Sequence, residues 1–391
     1  MMWIASCTKV VTALAALQCC ERGLLSLDEP IYDVLPEFKG LPVLKRFNEN
    51  DGSPVLEPHK KPITLRHMLN HSSGIAYDET HPKLLAWHKW HRTAPNRLNA
   101  VEGRFSYPLV FEPGESWFYG AGVDWAGVAV ERVNGGMTLQ RYFEENIFSR
   151  VGARDVVFSS YLYTRPDLQA RVVDMSKRDP KNPQKVIRSN ARLLYNDRGG
   201  CIGGYGLFAS PSDYLKILRG ILKTDEDQRL LSKEGVEEFF RPCLTDKAKT
   251  ALNDILTVEV ARIGMGNLPG SVTKNWALGG IVNEGDVPGG RKAGTMTWAG
   301  LPNLTWVSIH LPMLESNHPM FHSKKKKKLT FVPLSLSIEN QVYAGFLLHS
   351  CTLLRTRTSE SFVICLNRVY TTCTRRYSQS YDRRTQCLAS L

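Results

Sequence analysis

The chain has 391 residues, 42% of them hydrophobic and 23% charged, with a mean hydropathy of −0.25, enough apolar material for one large globular domain or two moderate ones. No uncharged apolar run reaches the ~18 residues a spanning helix needs, so the sequence does not support a membrane-spanning helix. The formal charge of +12 invites a nucleic-acid reading, but residues 307–391 hold 12 Lys and Arg against 4 Asp and Glu, so two thirds of the excess lies in that tail and the body is only mildly basic.

In chain order, the stretch "IASCTKVVTALAALQ" (4–18) reads as an apolar helix, with Gly23 as its C-cap. A signal peptide is not the expected reading, because no Lys or Arg precedes Lys9 and Glu21–Arg22 stand where a small-residue cleavage site belongs. The nine cysteines show no C-x-x-C and no metal spacing, which points to reduced thiols and a cytoplasmic location. "ITLRHMLNHSSGI" gives a short helix over Leu65–Asn70 and a turn, and the Trp-, His- and Pro-rich residues 79–110 read as a lid over a cleft. "GAGVDWAGVAVERVNGG" and "TLQRYFEENIF" carry helical periodicity, the second with Thr138 as N-cap. The glycine-dense loop 199–210 lacks the dinucleotide-binding spacing and leads to a helix starting near Pro211. "GTMTWAG" (294–300) alternates as a strand, with "NLTWVSI" as its hairpin partner. Beyond Trp306 the periodicity is lost and a five-lysine run, Lys324–Lys328, appears.

The chemistry concentrates in the first helix. Ser6 and Lys9 are three residues apart and share a helix face. A serine hydroxyl needs an adjacent base to become a nucleophile, and a lysine is that base only when burial or neighbours favour its neutral amine. By itself the pair is weak evidence, since Ser6 as a simple N-cap with Lys9 in solvent fits the same spacing.

The segments "IASCTKVVTALAALQCCERGLLSLDEPIYDVLPEF", "ITLRHMLNHSSGI", "FEPGESWFYGAGVDWAGVAVERVNGGMTL", "GGYGLFASPSDYLKIL" and "TMTWAGLPNLTW" resemble, in order, the serine beta-lactamase-like family with its penicillin-binding-protein and transpeptidase-like fold, and its fungal acyltransferase and esterase branch in particular. The resemblance covers residues 3–306. It implies an α+β fold, an α/β sandwich plus a mostly helical domain, with residues 1–306 as the catalytic domain and residues 307–391 as an aberrant basic tail, a candidate intron read-through. Strands ahead of the nucleophile and strands and a helix after residue 306 are expected of the family and are not legible here. Carried over by position, Ser6 is the nucleophile, Lys9 its base partner and Tyr119 the phenol that relays the proton. Trp298 stands where penicillin-recognising relatives carry a lysine. Gly300 permits close backbone approach, and the N–H groups of Ser6 and Leu301 form an oxyanion hole. Trp87 and Trp90 are candidates for an acyl channel or for plain aromatic packing, and His71 resembles a structural turn position. His81, His88 and His91 lack the H-E-x-x-H pattern, so neither metal nor cofactor is expected.

The function implied is transfer of an acyl group from a thioester or ester, held on a small thiol or an acyl carrier protein, to an alcohol of a polyketide-type metabolite. A carboxylesterase using the same residues is the first alternative, and an inactive remnant or misread gene boundary the second. A basic interaction protein acting through the tail ranks last, and neither nucleic acid nor membrane is expected as a partner.

Overall fold

The computed structural model describes residues 1–95, 100–189, 200–223, 230–265, 268–301, 304–309 and 328–333. Its spine is α1 (Lys9–Glu21), whose residues from Lys9 to Cys19 are all buried. A helix apolar on every side has to be enclosed on every side. It closes in a turn where the Gly23 N–H bonds the Cys20 carbonyl and the Leu24 N–H bonds that of Cys19, the C-terminal closure expected of that glycine.

Four helices follow before residue 138 among the described residues, namely α2 (Leu65–Leu69), α3 (Pro82–His91), α4 (Val101–Arg104) and α5 (Gly122–Val133), and α5 packs along α1. Next, α6 (Leu139–Phe143) continues through a π-turn at Glu144–Phe148 into α7 (Ser149–Val151). The remainder are α8 (Pro166–Gln169), α9 (Pro211–Leu222), α10 (Lys233–Phe240), α11 (Asp246–Ile255) and α12 (Glu259–Gly264). Thr64, Thr138, Ser210, Ser232 and Thr245 each accept an N–H three residues on, a cap worth about 1 kcal/mol apiece. The Thr138 cap and the helix start at Pro211 match the sequence reading.

Three strands tie down the chain start. β1 (Met2–Trp3) pairs antiparallel with β7 (Leu207–Ala209), whose other edge takes β4 (Val156–Phe158). Two hairpins, β2–β3 (Pro42–Phe47, Pro54–Pro58) and β5–β6 (Ser176–Asp179, Asn182–Arg188), stand apart. The main sheet is antiparallel, in the order β12-β11-β10-β9-β8, built from β8 (Lys274–Trp276), β9 (Ile281–Asn283), β10 (Thr295–Gly300), β11 (Leu304–Ile309) and β12 (Lys328–Pro333). The hairpin expected near residue 300 is its centre, with Trp298 opposite Trp306 and Gly300 opposite Leu304.

Sequence reasoning stops at a two-stranded piece, and the sheet differs for two reasons. β8 and β9 are three residues each, too short for alternation to register. β11 runs past Trp306 to Ile309 and is paired on its far side by β12. The exposed edge of β8 is covered by Asn253, which donates to the Lys274 carbonyl at 2.8 Å and accepts the Lys274 N–H at 3.0 Å, the kind of side-chain cover that keeps an edge from templating another strand. Lys324–Lys327 and residues 334–391 lie outside the described residues.

The segment read as a lid holds α3 and α4. It is fastened by His88, buried and bonded to Asp78 at 3.0 Å and Thr93 at 2.9 Å, and by Lys83, which donates to the Val110 carbonyl. Trp87 lies against His91 and the small cluster Leu44, Ala76, Leu84 and Val110, and Trp90 lies on the Gly52 turn of the β2–β3 hairpin. Of the two readings weighed for these residues, aromatic packing describes Trp87, whereas Trp90 stays 44% exposed.

His81 caps α3, its Nδ1 accepting the Lys83 N–H at 3.2 Å. Burial pushes this imidazole down to about 4. The folded protein then favours neutral His81, so between about pH 6.5 and 4 the unfolded chain binds more protons and stability falls as pH falls. The melting temperature of His81→Asn, which keeps a capping oxygen without titrating, is expected to decline less over that window than that of the unsubstituted protein. Equal declines would remove His81 from the acid response.

Candidate active site

Ser6 sits in the single 3₁₀ turn Ala5–Thr8 that precedes α1. Ala5 adopts φ +45°, a left-handed conformation that costs a non-glycine residue about 1–3 kcal/mol. Surrounding bonds hold it there. The Ile4 N–H donates to Leu207 O at 3.0 Å, the Leu207 N–H to Thr8 Oγ1 at 3.1 Å, and Tyr214 Oη to the Cys7 carbonyl at 2.8 Å. Trp3 adds an indole N–H to the Tyr205 carbonyl. The turn presents a partly exposed Ser6 between completely buried neighbours. Burial pushes the adjacent Cys7 thiol up to about 12, so no competing thiolate forms beside the serine.

The structure brings together the residues singled out from sequence, in a different bonding order from the one expected. The partner of Ser6 Oγ is Tyr119 Oη, at 2.7 Å. Lys9 makes no hydrogen bond to Ser6 among the described residues. It is 3% exposed, donates to Tyr77 Oη at 3.0 Å and the Gly204 carbonyl at 2.8 Å, and holds its ammonium 4.6 Å from the Tyr119 ring centroid. Lys9 is thus a charge set against the tyrosine, and the tyrosine is the group that touches the serine.

Tyr119 is held by its ring. His71 lies 4.7 Å from it on one side and Trp298 5.0 Å on another, and Trp298 is itself braced edge-on by Trp276 at 4.6 Å. The Trp298 indole N–H has no partner among the described residues, so what Trp298 gives the site is its ring. His71 Nδ1 accepts the Gly120 N–H at 3.3 Å, and burial together with nearby Lys9 keeps the imidazole well below its ordinary pKa. A neutral, fully packed His71 is a wall, as the sequence reading had it.

Gly300 brings the third motif onto the serine turn. A Cβ there would stand 2.4 Å from the Ile4 carbonyl oxygen, far inside contact distance, so only glycine lets β10 lie this close. Leu301 follows directly, 52% exposed, at the end of the strand that meets the Ser6 turn. Ser6 is in the first turn of its helix, where N–H groups lack intrahelical acceptors.

Two residues escaped sequence reasoning. Tyr77 Oη donates to Asp124 Oδ2 at 2.8 Å, and the Gly204 N–H donates to Asp124 Oδ1 at 2.9 Å. Burial, with Asp124 beside it, raises the Tyr77 phenol well above its ordinary value. Burial also raises the Asp124 carboxyl, against the pull of Lys9, Tyr77 and the Gly204 N–H.

Replacing Gly300 by Ala is expected to push β10 off the Ile4 carbonyl and lower the rate of ester cleavage by about a hundredfold, the scale for displacement of about an ångström, with circular dichroism unchanged. Undiminished activity in a folded Gly300→Ala variant would show that the close approach is not needed.

Comparison with known proteins places the chain in a family. The family described as Beta-lactamase matches residues 1–298. Over 307 residues the chain is 38% identical to a lovastatin esterase of Penicillium rubens, covering 78% of this chain and 75% of the relative. It is 35% identical over 306 residues to a monacolin J acid methylbutanoyltransferase of Aspergillus terreus, covering 78% and 72%. A solved mutant of simvastatin synthase from Aspergillus terreus superposes with a TM-score of 0.70 at 37% identity, covering 78% and 71%. EstCE1, a hydrolase with promiscuous acyltransferase activity, shares the fold at a TM-score of 0.55 and 22% identity, covering 78% and 76%. The chain belongs to the Beta-lactamase family and stands with its acyltransferase and esterase enzymes.

Proposed function

We propose that this protein is a serine acyltransferase that moves an acyl group from a thioester or ester donor to an alcohol of a polyketide-type metabolite through an acyl-enzyme on Ser6. The observation that carries the reading is the 2.7 Å contact between Tyr119 Oη and Ser6 Oγ, with the Lys9 ammonium against the same tyrosine ring. In the reactive form Tyr119 is a phenolate balanced by Lys9. As Ser6 Oγ bonds to the acyl carbon, its proton passes to Tyr119. The oxyanion is taken up by the N–H groups of Ser6 and Leu301, two donors each typically worth about 3 kcal/mol in the transition state. When the bond from the acyl carbon to the donor's sulfur or oxygen breaks, Tyr119 returns the proton to the leaving thiol or alcohol. The acceptor hydroxyl then loses its proton to Tyr119, attacks the acyl carbon and releases Ser6, which recovers the proton.

Water in place of the acceptor makes the same residues an esterase, and the 38% identity with a lovastatin esterase keeps hydrolysis as the second reading. The acyl group reaches the site on an acyl carrier protein or a small thiol. We take residues 1–306 as the catalytic unit, its main sheet completed by the run of β11 to Ile309 and by β12, and assign the reaction to the cytoplasm, where thiols such as Cys7, Cys19 and Cys201, free in the fold, stay reduced.

A p-nitrophenyl ester supplies the test. The unsubstituted protein should release a burst of about one p-nitrophenol per chain, and Ser6→Ala none, since the nucleophile is gone. Added acceptor alcohol should divert acyl groups from acid to ester if transfer is the main activity. A burst that persists in Ser6→Ala would sink the assignment, and no burst in the unsubstituted chain would favour the inactive remnant.

A further inference from the structure

The mechanism leaves two buried ionisable groups unused, and they close a circuit with Lys9. Lys9 donates to Tyr77, Tyr77 donates to one oxygen of Asp124, the Gly204 N–H donates to the other, and the Gly204 carbonyl accepts from Lys9. The distances run 3.0, 2.8, 2.9 and 2.8 Å. Both Asp124 oxygens face donors, the arrangement of an ionised, acceptor-only carboxylate. Gly204 is indispensable to the ring, because a Cβ there would fall 2.4 and 2.5 Å from the two carboxylate oxygens. Next door, Thr12 on α1 donates to the Gly203 carbonyl at 2.7 Å and fixes the loop. The glycine-dense loop that fits no dinucleotide site therefore has a physical task, carrying a peptide group into contact with a buried carboxylate and a buried ammonium at once.

We propose that Asp124 is a positioning residue for acyl transfer: acting through the Tyr77 hydroxyl and the Gly204 peptide, its carboxylate keeps Lys9 charged and fixed against Tyr119, and so sets the pH range in which Tyr119 takes the Ser6 proton. The proposal rests on the Ser6 acyl-enzyme reading above and adds to it the group that balances the Lys9 charge. Other ionisable groups also face the circuit. Arg104 of α4 acts on Asp124, and Tyr119 and Tyr205 act on Tyr77. His71 and Cys7 lie near Lys9, but burial keeps His71 neutral and holds the Cys7 thiol at about 12. Arg104 keeps its charge throughout.

Removing a buried negative charge favours the less protonated state of the groups around it, so both limbs of a pH–rate profile move the same way. The experiment is the acylation burst with a p-nitrophenyl ester, followed from about pH 5 to about pH 10 for the unsubstituted protein, Ser6→Ala, Asp124→Asn and Tyr77→Phe. In Asp124→Asn the profile is expected to shift toward lower pH by about one unit, the scale of losing one nearby opposite charge. Tyr77→Phe, which leaves the carboxylate but cuts the relay, should shift the same way by less. A purely structural role lowers the rate equally at every pH and leaves the limbs in place, and that result, in either folded variant, overturns the proposal. Tyr77→Phe removes only one hydroxyl, so it decides the matter if Asp124→Asn does not fold. A burst surviving in Ser6→Ala overturns the acyl-enzyme reading itself, whereas a silent Ser6→Ala with an unmoved Asp124→Asn profile overturns only the role of Asp124.

Discussion

An ammonium group taken out of water must be given acceptors and a counter-charge, or it loses its proton. Lys9, almost wholly buried at the head of the central helix, imposes that constraint on everything around it. Its acceptors come from a loop after α2 and from a glycine loop almost two hundred residues on in the chain, so the charge cannot be satisfied until α1, α5 and the strand β7 are assembled. The same requirement places a cation against the Tyr119 ring. A surface lysine could not do this, since water would screen it and its side chain would wander. Chemistry and folding are thus coupled at one side chain.

Around that charge the site is built by close approach. The Ser6 turn carries a left-handed alanine, and strain of this kind persists only where the surroundings over-determine it. Here β7, Tyr214 and the packed Trp3 do so from three directions. Two glycines let backbone come where a side chain would collide, Gly300 against the Ile4 carbonyl and Gly204 against the Asp124 carboxylate. The aromatic wall of His71, Trp276 and Trp298 then leaves the Tyr119 ring little freedom. Small displacements at any of these contacts reach the reacting atoms directly, because the packed groups have nowhere to relax.

Ser6, Lys9, Tyr119, Trp298 and Gly300 were legible in the sequence as a set only through the family resemblance that their short segments carry. The bonding order was not. Spacing on a helix says that Ser6 and Lys9 can meet, but it says nothing of acceptors that draw the lysine deeper into the fold. Asp124 was invisible for a related reason, since an acidic residue in a helix's first turn is ordinary there and its burial follows from contact with Gly204, 80 residues away. Nothing about an alanine announces a positive φ. In the sheet, β10 and β11 were readable as alternating runs, while β8 and β9 at three residues each were not, so the sheet was underestimated. For Trp87 and Trp90 composition left a ligand channel and aromatic packing equally open, and only the fold shows Trp87 against the Leu44 cluster and Trp90 over the Gly52 turn.

The central claim is that Ser6 carries the acyl group and that Tyr119 is the group that takes its proton. Intact-mass spectrometry of the protein mixed with a short-chain acyl thioester, followed by peptide mapping, tests it most directly. The account predicts a single acyl adduct on Ser6 that forms within the mixing time in the unsubstituted protein and is slowed at least about a hundredfold in Tyr119→Phe, the contribution of a positioned general base. An adduct on another residue, or one that forms on Ser6 just as fast in Tyr119→Phe, would contradict it.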